Sequence, residues 1–230
     1  MKRLILVLSL VTLVLLGAEA KKPSVLYLVG DEVVASMTAP EDLNDSSAVG
    51  WGQVLGDCLP GVEIVNRAYA GATTRAMLTD GQWADIMTNI PKKAFMMINL
   101  GHHEYDETDP RVYSTLEEFE NNLLQMIAEA QKKRVKVILI TPTTKRFFYD
   151  SSYYPRHGAY AEGVRRVAQQ QKLPLVDLEA ATRARVEDAG ESASAVFFAG
   201  GDAVLLNDTG ARMAAKIVAE TVKELKIKGL

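Results

Sequence analysis

The sequence predicts an α/β protein: a three-layer α/β/α sandwich around a five-stranded parallel sheet. Two observations carry this. Five short β-rich runs alternate with segments of helical periodicity, the order that builds a parallel sheet through crossover helices. The runs are also apolar at successive positions rather than at every second one, as expected of strands covered on both faces.

The runs are Val25–Val29, Val62–Val65, Phe95–Leu100, Val135–Thr141 and Leu175–Leu178. Gln53–Leu59 and Trp83–Ile90 read as helices between them. The clearest helix follows the third run. Leu116, Phe119, Leu123, Leu124, Ile127 and Ala130 form one apolar stripe, with Ser114 or Thr115 as its cap. "GAYAEGVRRVAQQQK" and the terminal "NDTGARMAAKIVAETVKELK" supply two more. Residues 39–49 read as a polar loop and 143–155 as a longer loop rich in aromatics. No internal repeat or interdomain linker breaks the pattern, so 21–230 is expected to be one domain.

Composition sets limits on function. The 230 residues carry a formal charge of −3, which offers no concentrated basic surface for nucleic acid. Lys2 and Arg3 precede an apolar run, Leu4 to Leu16, that ends in "GAEA". That is the layout of a secretory signal peptide over 1–20, cleaved after Ala20. The run is shorter than the roughly 20 residues of a spanning helix, so no membrane attachment is expected after cleavage. The expected location is secreted or periplasmic. Cys58 is the sole cysteine, which excludes an internal disulfide and a cysteine-based zinc site.

In open parallel sheets ligands bind beyond the carboxyl ends of the strands. The informative residues are therefore Gly30-Asp31-Glu32, Ala70-Gly71-Ala72-Thr73, Gly101-His102-His103-Glu104, Thr141-Pro142 and the final "FFAGGDAVLLNDTGARMAA". These stretches resemble the SGNH (GDSL-type) hydrolases, and within them the rhamnogalacturonan acetylesterase-like branch. "YLVGDEVVAS" is similar to that branch's GDST opening, and "GWGQVLGDCL" to its Gly-Trp-Gly helix start. "VNRAYAGATTRAML", "MMINLGHHEYDE", "ITPTTKRFF", "LPLVDLEAAT" and "GGDAVLLNDTGARMAA" resemble its later blocks, in the same order. The resemblance covers nearly all of the chain beyond residue 20 and implies a flavodoxin-like strand order.

It also implies acyl-transfer machinery: a serine nucleophile, a histidine base, an aspartate that orients it, and three oxyanion donors. Carried over by position, the serine is Glu32 and the histidine is Leu205, while the aspartate survives as Asp202. The donors fall on the main-chain N–H of Glu32, that of Gly71, and His103 in place of an asparagine. Asp31, Arg75 and Glu104 complete the positions expected at the cleft. Loss of two triad members predicts no serine-esterase chemistry, since removing one costs roughly 10⁴–10⁶ in rate.

Five readings of such a cleft stay open. It can be a binding surface, with Leu205 buried where the histidine stood, Glu32 at a helix N-terminus, and the carboxylates held by backbone amides. It can be a remodelled hydrolase in which Glu32 and Asp202 share acid and nucleophile or base work, as in glycoside cleavage. Glu32, His103 and Asp202 can form a metal site. A displaced serine chemistry would draw on Ser36 and His157, and a residual acetylesterase would need a different register at Glu32 or Leu205. No cofactor is expected. The resemblance implies a pectic or other plant glycan as partner, with sugar-stacking faces from the aromatics of residues 147–154; Trp51 and Trp83 are expected in the core.

Overall fold

A computed structural model describes residues 23–37, 47–154 and 158–230. The expected leader over 1–20, most of the expected loop at 39–49, and His157 lie outside the described residues. The central sheet is five-stranded and parallel, in the order β2-β1-β3-β4-β7, with β1 at Ser24–Gly30, β2 at Val62–Asn66, β3 at Phe95–Asn99, β4 at Lys136–Ile140 and β7 at Leu175–Val176. The order reverses beside β1, so the loops after β1 and β3 open a crevice at the carboxyl edge.

Alternate residues of each strand feed two cores. Tyr27 and Val29 of β1, Met96 and Ile98 of β3, and Val137 and Leu139 of β4 face one of them. That core is closed by α3 (Gln82–Asn89), α4 (Leu116–Lys132) and α5 (Gly158–Gln171), through Trp83, Phe119, Leu123 and Val164. Leu26, Leu28, Phe95, Met97, Ile138 and Ile140 face the other. There α1 (Trp51–Cys58), α6 (Leu178–Ala193) and α7 (Asp208–Glu224) close it with Trp51, Leu55, Val186 and Val218. Both tryptophans are core residues; the Trp51 indole N–H donates to Asn99 Oδ1 at 3.3 Å and that of Trp83 to Glu129 at 2.6 Å.

Several local expectations change. The α4 cap is Thr115, which exchanges bonds with Glu118 in a capping box. Met126 joins the buried α4 stripe, whereas Leu116 and Leu124 are half-buried. The fifth strand is only two residues long, because Asp177 caps α6 at Leu178. The aromatic loop contains a hairpin, β5 (Phe148–Tyr149) with β6 (Ser152–Tyr153), whose Phe148 and Tyr153 rings meet edge to face at 5.9 Å. A short α2 (Thr74–Thr79), capped by Thr73, follows the Gly71 loop. Residues 31–35 form one turn rather than a helix: the Val34 and Ala35 N–H groups both bond Asp31 O, and α1 begins only at Trp51. Gly52 packs against that turn so closely that a Cβ would lie 2.4 Å from Val34 O.

Candidate functional site

The crevice is built from three loops that leave the carboxyl edge at β1, β2 and β3. The first turns at Gly30-Asp31-Glu32, where Asp31 Oδ1 accepts from Val33 N at 3.1 Å. Both acids are buried: Asp31 has no exposed surface and Glu32 is 5% exposed. The second loop turns at Gly71, whose φ of 72° lies in the left-handed region that glycine adopts without strain. The third carries His102, His103 and Glu104.

Glu32 is the centre of the arrangement. Its Oε1 lies 2.6 Å from His103 Nε2, and its Oε2 accepts from Gly71 N at 2.9 Å. Its own main-chain N–H supports the carboxylate as well. Those three groups are the positions that the resemblance assigns to the oxyanion donors. The Glu32 carboxylate therefore takes up these donors itself. Desolvation works against both charges here. The bond and charge of His103 outweigh it and hold Glu32 down to about 2, and Glu32 in turn raises His103 to about 9. The pair is a carboxylate and an imidazolium at neutral pH.

Behind it sits a second histidine–carboxylate pair that the sequence reading left without a role. His102 and Asp31 are fully enclosed, with Nδ1 2.7 Å from Asp31 Oδ2. Its Nε2 faces Thr143 O and Oγ1, each at 3.0 Å. This pair ties the β1 loop to the end of β4. Glu104 is enclosed too, accepting from Thr74 N at 2.9 Å and His103 N at 3.4 Å. Burial pushes its carboxyl up to about 7.

Asp202 is not joined to this cluster by any hydrogen bond described. Its Oδ1 accepts from Val204 N at 2.5 Å and Leu205 N at 2.8 Å, fastening its own turn. Leu205 is half-buried, which corrects the expectation that it fills a hole in the core; the buried leucine is its neighbour Leu206. Arg75 turns to a different hollow, where it bonds Tyr113 O at 2.8 Å and Glu118 at 3.1 Å. Glu32, His103 and Asp202 do not make a metal site: among the described residues no group of three or more His, Cys, Asp or Glu could hold a metal ion. Ser36 is exposed and takes a bond from Asn66 at 3.2 Å. Among the described residues no helix is long and apolar enough to cross a membrane.

Lys145, Tyr105 and Phe147 line one hollow beside this edge, and of the three Lys145 and Tyr105 escaped the sequence reading. The signal for Lys145 was a single lysine directly after the Thr-Pro-Thr-Thr strand end, where the chain is still enclosed.

An α/β/α sandwich of this strand order, with its polar cluster at the switch point, defines the class of the SGNH hydrolases. The profile of the GDSL-like lipase/acylhydrolase family matches residues 28–213, and the chain belongs to that family. It is 27% identical over 221 residues to the rhamnogalacturonan acetylesterase RhgT of Bacillus subtilis, across 89% of this chain and 92% of that protein. A probable rhamnogalacturonan acetylesterase of the same organism, YesY, is 27% identical over 87% of this chain and 93% of its own. The crystal structure of Bacillus subtilis YxiM superposes with a TM-score of 0.78 at 25% identity, over 90% of this chain but 58% of that one. An acetylxylan esterase from Geobacillus stearothermophilus shares the fold at a TM-score of 0.65 and 20% identity, over 92% of this chain and 99% of that one.

Proposed function

We propose that this protein is an exported, secreted or periplasmic, member of the family that binds a pectic or other plant glycan in a cleft without serine-esterase chemistry. The Glu32 carboxylate bonded to Gly71 N–H and His103 Nε2 carries the reading. Acyl transfer needs an attacking oxygen and an empty, donor-lined hole for the developing oxyanion. Here the residue at the nucleophile position supplies neither a hydroxyl nor a vacancy. The relatives' names support the glycan: two are called established or probable rhamnogalacturonan acetylesterases.

The carboxylate-hydrolase alternative has less behind it. Glu32 is held as an anion, Asp202 fastens its own turn, and the carboxyl with the raised value, Glu104, is fully enclosed away from any sugar.

Aryl acetate and acetylated pectin test the proposal, assayed with the native protein and with Glu32→Ser combined with Leu205→His. The expected result is silence from the native protein, measurable affinity for deacetylated pectic oligosaccharide, and acetate release gained by the double variant. Rapid acetate release by the native protein would overturn it.

A further inference from the structure

Lys145 is 6% exposed, yet among the described residues no carboxylate lies within ion-pair distance of its ammonium. Nζ donates to His102 O at 3.1 Å and Tyr105 Oη at 3.0 Å, and stands 4.1 Å from the centroid of the Tyr105 ring. Both acceptors are neutral, and an ammonium has three N–H donors. The acids of the neighbouring crevice are engaged elsewhere: Asp31 with His102, Glu32 with His103 and Gly71, Glu104 with Thr74. Enclosing a cation costs several kcal/mol unless a counter-charge offsets it. Such an arrangement is a cation waiting for an anion.

The cation opens onto a hollow. Lys145, Tyr105, Phe147, Ala203 and Val204 line a pocket of about 290 Å³ beside the His102–His103 loop and the Asp202 turn. Tyr105 is 46% exposed, and the Phe147 ring meets exposed Tyr154 edge to face at 6.3 Å. Aromatic faces next to a fixed charge suit a ring that is apolar on its C–H face and carries an acid at its edge. We propose that this pocket is a subsite for an acidic sugar, whose carboxylate pairs with Lys145 Nζ while its ring packs on Tyr105 and Phe147. Lys145 is then the residue that selects acidic over neutral glycans. The inference rests on the glycan-binding reading and adds the charge of the ligand to it.

Trigalacturonic acid, its trimethyl ester and xylotriose, each titrated calorimetrically into the intact protein, separate the two. The native protein should prefer the acid over its ester by roughly ten-fold or more, the worth of one charge-assisted bond. That preference should shrink as salt is raised. Lys145→Met should bind the acid no better than the ester. Equal binding of acid and ester by the native protein, or a preference kept by Lys145→Met, overturns the inference while leaving glycan binding intact; a lysine that only neutralises the buried acids around it would give this result. No binding of any of the three removes the glycan reading and this one with it. The acid–ester comparison needs no variant, so it decides the matter even if Lys145→Met does not fold.

Discussion

A glutamate reaches two bonds further from the backbone than a serine. At position 32 that extra length carries the oxygens past the point of nucleophilic attack and onto the donors at Gly71 and His103. A glutamate at the position the resemblance gives to serine is legible in the sequence, whereas the pairing is not. No spacing connects residues 32, 71 and 103; only the meeting of three loops at one sheet edge does. His102 shows the same limit, since its partners Asp31 and Thr143 lie 71 and 41 positions away. A consequence belongs to these atoms alone. In Glu32→Ala the imidazole of His103 loses the partner that raises it to about 9, so its titration should fall towards the ordinary 6.5. An NMR titration of the ring protons reads this directly. The variant should also lose about 1–3 kcal/mol, the cost of leaving the Gly71 N–H unpaired. A His103 midpoint that stays put would show that Glu32 does not control it.

Elements were read well where a long apolar stripe existed and poorly where it did not. The α4 stripe is visible because its buried positions recur through 17 residues. The α6 helix went unseen as an element because the strand feeding it is two residues long and its own apolar face is weak, with only Leu178 and Val186 as large apolar side chains that are buried. Polar contacts hold it instead. Arg165 of α5 bonds Asp177 at 2.9 and 2.6 Å and Glu179 at 2.7 Å, while Thr141 Oγ1 accepts from Glu179 N at 2.8 Å. Glu179 is 3% exposed, and its other cationic neighbour, Arg183, stands at 3.7 Å. Arg165→Ala should therefore destabilise the protein by about 1–3 kcal/mol, because it removes the charged hydrogen bonds to Asp177 and Glu179 and leaves Glu179 with Arg183 alone, at 3.7 Å. Arg165→Lys should recover only part, since an ammonium cannot span both acids with a planar fork. Denaturant melts of the two variants measure the difference, and a native-like midpoint for Arg165→Ala would sever α6 from this network.

At the scale of the whole molecule, the parallel sheet covered on both faces followed from strands alternating with helices and from apolar runs, and the strand order from the family resemblance, but the charges enclosed between the loops did not. Their balance makes stability depend on pH in a way that has a definite sign. His103 is raised from 6.5 to about 9, so its contribution is complete below 6.5 and is lost as pH climbs through 9. Glu104 is raised from 4.5 to about 7 by burial; the folded state favours its neutral form, and stability falls as pH rises from 4.5 through 7. Glu32 is lowered from 4.5 to about 2, so its contribution is present above 4.5 and lost on acidification towards 2. The three limbs meet in the mildly acidic range. Thermal melts should give the highest Tm near about pH 5, with a decline on both sides. Glu104→Gln removes the charge that burial disfavours and keeps an acceptor for the Thr74 N–H, so it should flatten the limb between 4.5 and 7. His103→Gln keeps a donor for Glu32 without the titrating ring, and should flatten the limb between 6.5 and 9. A native Tm that rises steadily from mild acid to about pH 9 would mean that groups other than these buried loop residues govern the stability of the fold.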